Sequence, residues 1–340
     1  MFYRTSIRKS GLIALAVVML LVGSAWSHAQ AAALGHYYPA IFNNLDYFVP
    51  DPGFYYAQYT PYYNTDTYHD QNGNKVSNIG PGGAIKINAE LHMITVAPVL
   101  MWVTPWKILD ARYAAYVVPA MVNTSLSASL TNQTLGGTGT SQANYNWADP
   151  YFVPIWLGWS LSHWDFSFAE GFYAPWGKYD TTTATVGPFT GTIPSASNTG
   201  LGFWTNQMQP AVAWFPFDNK GTAVTGALTW EINSKMNGVD TTPGQRMTLN
   251  WGASQFLPLT KDQSRLIQVG FAAYDQWQIT DDTGSASNTV KDQIHAVGGQ
   301  LGFANVPSNF QINFKYMHEY NAVDRFQGDW FNLSFAVKAF

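Results

Sequence analysis

Hydrophobic and polar residues alternate with a period of two along most of this chain, and that period predicts β-strands. In the stretch AIKINAELHMIT at 84–95, Ile85, Leu91 and Met93 fall on one side of such a strand, and Glu90 and His92 fall on the other. About twelve segments of this kind are predicted. Their approximate spans are 53–64, 84–103, 110–123, 150–161, 164–174, 201–215, 221–233, 245–257, 264–279, 292–303, 309–320 and 330–340.

The connections between these segments alternate in length. Long polar connections such as NTDTYHDQNGNKVSNIGPGG alternate with short ones such as TPWKILD, SH and PFDNKG. Outer-membrane barrels sort their connections in this way, with short turns in the periplasm and long loops outside the cell. The sequence therefore predicts an all-β fold, an antiparallel transmembrane outer-membrane β-barrel of about 12 strands. A soluble sheet with one buried face is the alternative.

The N-terminus has the features of an export signal. Arg4, Arg8 and Lys9 precede the apolar run GLIALAVVMLLVGSAW, and the small-residue tail SHAQAAA follows it. This arrangement predicts a cleaved signal peptide at 1–31. Residues 32–52 are then a periplasmic N-terminal segment or a small plug, and 53–340 form the barrel.

The composition agrees with a protein that meets lipid on one side and water on the other. Charged residues make up 11% of the chain, against about 25% in ordinary domains, while aromatic residues make up 16%. Cleavage would remove three of 17 basic residues and none of the 21 acidic ones, which leaves a net charge of −7. That charge argues against a nucleic-acid partner. We expect contact with outer-membrane lipid and a location in the bacterial outer membrane.

The polar face of each strand is predicted to point into the lumen, because an Arg or Lys on the lipid face costs about 2–4 kcal/mol near the membrane midplane. The apolar face from Ile85 to Met93 would then meet lipid. The candidates for the lumen and the substrate path are Lys86, Asn88, Glu90, His92, Arg112, Glu231, Arg246, Asn250, Asn313, Lys315 and Glu319. Two interpretations stay open: a constriction that orients a polar substrate group, or ion pairs that fill a narrow barrel.

The many aromatic residues have two interpretations within a barrel, and a third, sugar stacking in a secreted lectin-like protein, requires the soluble fold. Rings at the membrane interface form girdles in barrels, and the candidates for these are Tyr55, Tyr56, Tyr59, Tyr62, Tyr63, Trp102 and Trp106. Rings could instead line a hydrophobic route. The residues best placed for that role are the possible plug aromatics Phe42, Tyr47 and Phe48.

Two short motifs are candidates for a catalytic or metal site, and neither has the required arrangement. Ser162 and His163 are neighbours, and neighbours on a strand point to opposite faces, which is a poor arrangement for a nucleophile and its base. The run DTYHDQNGNK lacks the terminal acidic ligand of a calcium loop and favours a tight turn. We therefore predict no catalytic residue, no metal, no cofactor and no enzymatic activity.

Three stretches resemble a known family. They are GHYYPAIFNNLDYFVPDPGFYYAQYTPYYNTDTYHDQNGNKV at 35–76, EGFYAPWGKYD at 170–180 and QVGFAAYDQWQITDDTG at 268–284. They resemble the outer-membrane transporter family associated with the meta-pathway of phenol degradation, which is distantly similar to the long-chain fatty-acid channels. The resemblance implies passive uptake of small hydrophobic or aromatic compounds. It implies no particular binding residues.

Two other functions remain as alternatives. The first is a non-conducting structural or adhesive barrel that acts through its long extracellular loops. The second is an outer-membrane phospholipase-like hydrolase.

The final strand departs from the usual terminal pattern of outer-membrane barrels, because Phe331 and Leu333 have the opposite parity from the terminal Phe340.

Overall fold

The structure is a computed structural model that describes residues 35–79, 85–131, 136–186, 189–195, 197–285, 287 and 289–339. The predicted signal peptide at 1–31 lies outside these residues. The strands are β1 (Gly53–His69), β2 (Asn78–Ile79), β3 (Ile85–Ile108), β4 (Ala111–Val118), β5 (Met121–Thr131), β6 (Gly136–Trp147), β7 (Tyr151–Ser160), β8 (Trp164–Tyr173), β9 (Thr181–Val186), β10 (Phe189–Pro194), β11 (Thr205–Trp214), β12 (Thr222–Asn233), β13 (Arg246–Pro258), β14 (Arg265–Gln278), β15 (Gln293–Asn305), β16 (Phe310–Val323) and β17 (Arg325–Lys338). The 3-10 turn Val306–Ser308 joins β15 to β16.

Twelve of these strands form a closed antiparallel barrel: β1, β3, β4, β7, β8 and β11 to β17. Strand β1 pairs with both β17 and β3, and this double pairing closes the sheet. A closed barrel satisfies every backbone hydrogen bond of its wall within lipid. The predicted fold class is confirmed. No helix among the described residues is long and apolar enough to cross a membrane.

The connection between the predicted strands 110–123 and 150–161 is mostly strand. Strands β5 and β6 form a hairpin, and β5 pairs with the first half of β3 from Lys86 to Val96. The wall of the barrel therefore extends on the side of the long loops beyond the twelve-strand ring. Several strand boundaries also differ from the prediction. Strands β9 and β10 form a hairpin within the connection from β8 to β11, and β17 begins at Arg325 after a turn at Asp324.

The predicted orientation of the first half of β3 is wrong. Leu91 and Met93 are buried in a luminal cluster with Tyr63 and Trp330. The residues on the outward side of the strand are those predicted to face the lumen: Lys86, Asn88, Glu90 and His92. Strand β3 has 24 residues, whereas about 9–11 are enough to cross a bilayer. The first half of β3 lies beyond the bilayer, where outward charges meet water and no lipid penalty applies.

The aromatic residues divide between the two faces of the wall. Trp102 and Trp106 are 37% and 60% exposed on the outer surface, as a girdle requires. Tyr59 and Tyr63 are 8% and 0% exposed, so their predicted place in the girdle is wrong. The other outward side chains of the wall form an apolar band that includes Leu100, Val224, Val269, Phe271, Val297, Leu301, Ile312, Phe314, Phe331 and Leu333.

Candidate functional site

The N-terminal segment at 35–52 lies inside the barrel, and we call it the luminal plug. Its backbone is folded by consecutive turns. The first turn joins the Ile41 amide to the Tyr38 carbonyl at 3.1 Å, with Pro39 at the second position, where proline is favoured. The next turn joins the Asp46 amide to the Asn43 carbonyl, and the Asp46 carboxylate accepts hydrogen bonds from the Asn43 amide and side chain.

Polar contacts fix one side of the luminal plug to the wall. The Tyr37 amide donates to Glu231 at 3.0 Å, the Asn44 amide to Gln300 at 3.0 Å, and the Lys315 ammonium to the Phe42 carbonyl at 2.8 Å. Further contacts on this side join Asn43 to Ser334, Asn44 to the Phe271 carbonyl, Asn250 to the Tyr37 hydroxyl, Asn332 to the Ile41 carbonyl and Ser167 to the Tyr47 carbonyl. These wall groups lie on β8 and on β12 to β17.

Two glycines allow the luminal plug to lie directly against the wall. A Cβ atom at Gly158 would lie 2.7 Å from the Cβ of Val49. A Cβ atom at Gly252 would lie 2.7 Å from the Asn44 side chain. A larger residue at Gly158 would therefore push the plug away from the wall, and one at Gly252 would clash with both the plug and the Phe271 carbonyl of the neighbouring strand.

Three cavities lie beside the luminal plug. Two are on the side opposite the polar contacts, mainly against β3, β4 and β5, and the third is at the periplasmic end, where β1 and β13 to β17 line most of it. The outer cavity, of about 70 Å³, lies between Tyr38, the buried residues of β3 and β5, and the loop around Tyr179. The middle cavity, of about 90 Å³, shares Gly35, Tyr38 and Leu201 with the outer one. The third cavity, of about 400 Å³, opens near the 3-10 turn at the end with the short turns, and we call it the periplasmic vestibule. Together the cavities follow the plug along the barrel.

The middle cavity is mainly apolar. Its walls include Ile41, Phe42, Ala97, Val99, Val118, Ala120 and Val122. Thr95 also lines it, is 2% exposed, and its hydroxyl has no hydrogen-bond partner among the described residues. The Tyr38 hydroxyl lies nearby, and burial raises the pKa of Tyr38 to about 12. The cavity therefore combines an apolar surface with hydroxyl groups, and the His36–Asp149 pair lies at its outer end.

One layer of side chains separates the middle cavity from the periplasmic vestibule. Tyr59 lines both cavities, while Phe42 lines the middle one and Asp46 the vestibule. The Tyr59 hydroxyl donates to Asp46 at 2.9 Å, and the Tyr59 ring meets the Phe42 ring edge-on at 5.5 Å. Burial raises the pKa of Asp46, and its hydrogen bonds from Asn43 and Tyr59 partly offset this effect.

At the outer end, His36 ties the luminal plug to two elements of the wall. Its Nε2 atom lies 3.0 Å from Asp149, and its Nδ1 atom lies 2.8 Å from the Thr205 hydroxyl. The ring stacks on Tyr173 with 4.6 Å between centroids. Asp149 in turn accepts hydrogen bonds from the Gly177 and Leu201 amides of the long connection after β8. The plug and this connection are therefore held by the same carboxylate.

The structure buries four of the charged candidates away from the cavities. Glu231, Arg246, Lys315 and Glu319 are buried, yet none of them lines the three cavities. Asn250 holds the plug through Tyr37, as described above. Arg246 belongs to a buried network in which Asp292 also binds Arg325. The Glu319 carboxylate accepts hydrogen bonds from Tyr63, Tyr274, Trp330 and the Gly328 amide.

Other candidates lie near the periplasmic end or in the plug itself. Asn313 lines the periplasmic vestibule. Arg112 is ion-paired with Asp51 at 2.9 Å where the plug leaves the barrel. Among the possible plug aromatics, Phe42 lines the middle cavity and Phe48 lines the vestibule. Tyr47 is 5% exposed and bonds to the Tyr37 hydroxyl within the plug.

The weaker sequence motifs occupy turns. Ser162 and His163 lie in the turn between β7 and β8, where His163 bonds to the Phe215 carbonyl. The Asp70 carboxylate accepts hydrogen bonds from the Asn72 and Asn74 amides in a tight turn. No cluster of three or more metal-binding side chains occurs in the described part of the chain.

The chain resembles known proteins in sequence and in fold. Residues 65–335 match the family described as "Putative MetA-pathway of phenol degradation". The crystal structure of the COG4313 outer membrane channel from Pseudomonas putida F1 has a TM-score of 0.56 and 13% identity, with 87% of this chain and 99% of that chain covered. A FadL homologue from Pseudomonas aeruginosa has a TM-score of 0.36 and 11% identity, with 93% and 97% covered. No curated protein matches the sequence.

The family match covers most of the barrel, and the Pseudomonas putida structure has the same fold. The closed barrel with its outward apolar band agrees with both. This chain is a bacterial outer-membrane β-barrel, and it belongs to the phenol-degradation family whose model it matches.

Proposed function

We propose that this barrel is an outer-membrane channel for the passive uptake of small hydrophobic or aromatic compounds, with lipid around its apolar band. The observation that carries the proposal is the series of three cavities beside the luminal plug. Apolar walls with a few polar groups are typical of sites for small organic molecules. The family description, which refers to phenol degradation, agrees with an aromatic substrate.

The substrate would enter among the long loops, near Tyr38 and Tyr179, and move along the plug to the periplasmic vestibule. Diffusion supplies the driving force, because the proposal needs no chemical step. Glu231 and Lys315 hold the plug in place, and Arg246 pairs with Asp292 in the wall, which favours a structural role for these charges over a constriction. The residues we assign to the path are Tyr38, Phe42, Tyr59, Thr95, Ala97, Val99 and Val118.

The test is uptake of toluene, phenol and glucose into liposomes that contain the purified protein. Ala97→Trp would fill the middle cavity, because Ala97 is 2% exposed and lines it. The matched control is Val96→Trp, since the adjacent side chain points to the other face of β3. We expect wild type and Val96→Trp to admit the aromatic compounds and Ala97→Trp to admit them at least about tenfold more slowly, since a bulky ring would block the path.

Other outcomes would support different functions. Equal uptake by both variants and wild type would contradict the path beside the plug. A large current of ions with no preference for aromatics would indicate a general porin. No flux of any compound through folded protein would favour the non-conducting barrel that acts through its loops.

A further inference from the structure

We infer that Tyr59 is a gate within the path, held shut by its hydrogen bond to Asp46, and that the path opens by motion of this side chain while the plug stays in place. The inference rests on the proposed function, because it concerns the same path. Tyr59 is the residue that lines both the middle cavity and the periplasmic vestibule.

The luminal plug is attached unevenly, and this favours a moving side chain over a moving plug. Polar contacts join the plug to β8 and to β11 through β17, as described above. Toward β1, β3, β4 and β5 the polar contacts are fewer. Tyr59 donates to Asp46, and the Tyr38 hydroxyl lies beside Thr95. At the periplasmic end, Tyr55 and Arg112 bind Asp51. Displacing the plug would break many polar contacts at once, whereas turning Tyr59 would break one.

The surroundings of Tyr59 leave room for that motion. Its ring lies between a cavity of about 90 Å³ and one of about 400 Å³. Its neighbour Phe42 meets it edge-on rather than in a stack. The backbone of Phe42 is fixed by the Lys315 ammonium, so the Phe42 ring is a stationary surface past which a flat molecule could slide when the Tyr59 ring turns aside.

The first test compares Tyr59→Phe with wild type in the liposome assay. Phenylalanine keeps the ring but removes the hydroxyl, and loss of one hydrogen bond changes an open–closed equilibrium by about threefold to tenfold. We expect a rise of that size in the entry rate of an aromatic compound. Tyr55→Phe is the matched control, because Tyr55 also lies on β1, lines the vestibule and bonds to the plug at the Asp51 carbonyl, yet does not line the middle cavity.

The second test measures ion conductance, which does not depend on any organic substrate. Tyr59→Ala removes the separating ring, and we expect at least a twofold rise in single-channel conductance. Heat-dependent gel mobility shows whether each variant is folded. If wild type admits no aromatic compound, the proposed function fails, but the conductance of Tyr59→Ala still tests the gate. Tyr59 variants that match wild type in both assays, or a Tyr55→Phe effect as large as that of Tyr59→Phe, would overturn the inference.

The third test asks whether the plug itself must move. The side chains of Asn43 and Ser334 meet at 3.1 Å, and the chain contains no cysteine. The double variant Asn43→Cys with Ser334→Cys would tie the plug to β17 when oxidised. We expect uptake by the oxidised form to stay within about twofold of the reduced form, since Tyr59 remains free. Uptake that stops on oxidation and returns on reduction would show that the plug moves and would contradict the gate.

Discussion

The Lys315 ammonium donates a 2.8 Å hydrogen bond to the Phe42 carbonyl, although the two residues are 273 positions apart in the chain. Lys315 is 3% exposed, and its partner is a backbone group of the luminal plug. A buried carbonyl that loses its donor costs about 1–3 kcal/mol. This contact therefore joins a late strand of the wall to the segment that defines the path.

Lys315→Met should destabilise the folded barrel by about 2 kcal/mol, because the methionine fills the space but leaves the Phe42 carbonyl without a donor. Urea unfolding followed by tryptophan fluorescence measures the change. Lys261→Met is the control, since Lys261 is exposed in the turn between β13 and β14 and its loss should change the stability by less than about 0.5 kcal/mol. Equal stability of both variants would mean that the plug contact contributes nothing.

Glu319→Gln should lower the free energy of unfolding by more than Glu90→Gln does. Glu319 is buried and accepts from four donors, including Tyr63 and Tyr274. An amide has one acceptor oxygen, so buried donors would lose partners at about 1–3 kcal/mol each. Glu90 is exposed on the outward face of β3, and we expect no measurable loss there. Urea unfolding followed by tryptophan fluorescence measures both changes. A larger loss of stability for Glu90→Gln than for Glu319→Gln would contradict the observed orientation of the strand.

The orientation of β3 can also be tested in intact cells, because the chain contains no cysteine. Single variants Glu90→Cys and Leu91→Cys would be exposed to a maleimide that does not cross membranes. We expect rapid labelling at position 90, which faces outer water, and labelling at least about tenfold slower at position 91, which is 6% exposed, since reaction requires access to the thiolate. The reverse order would restore the orientation predicted from sequence.

Two outer loops should separate in acid. Asp240 binds Lys235 at 2.6 Å and the Ser285 hydroxyl at 2.7 Å, so it joins the loop after β12 to the loop after β14. The Lys235 side chain and Ser285 lower the pKa of Asp240 from its ordinary value of 3.8. A lowered pKa in the folded state means that the contribution is complete above pH 3.8 and is lost as pH falls through the folded value.

We therefore expect hydrogen exchange of the Ser285 amide to show constant protection, relative to its intrinsic exchange rate, from pH 5 to pH 8. Below pH 3.8 the protection should fall. Asp240→Asn should show weaker protection with no such acid transition, because an amide side chain does not titrate in this range. An identical fall in the variant would assign the effect to another group.

Some features of the fold can be predicted from the local sequence pattern alone. The period of two along the segment Phe310 to Tyr316, and the alternation of long and short connections, were sufficient to predict a closed antiparallel barrel of about twelve strands. Both signals are local, because adjacent residues on a strand point to opposite faces and a turn needs few residues. The preference of amphipathic rings for the membrane interface predicted a girdle position for Trp102 and Trp106, and both are exposed on the outer surface.

Only the tertiary structure decided which face of a strand points inward beyond the bilayer. A period of two separates Glu90 from Leu91, but it does not say which of them meets water when both sides of the wall are wet. In the structure Leu91 points inward, because it packs in the buried cluster that contains Trp330. Tyr59 is another case, because an amphipathic ring predicts a place in the girdle, whereas the structure buries it with its hydroxyl bonded to Asp46 of the luminal plug. The plug, its anchors and the path beside it depend on contacts between residues far apart in the chain, and sequence periodicity carries no information about such contacts.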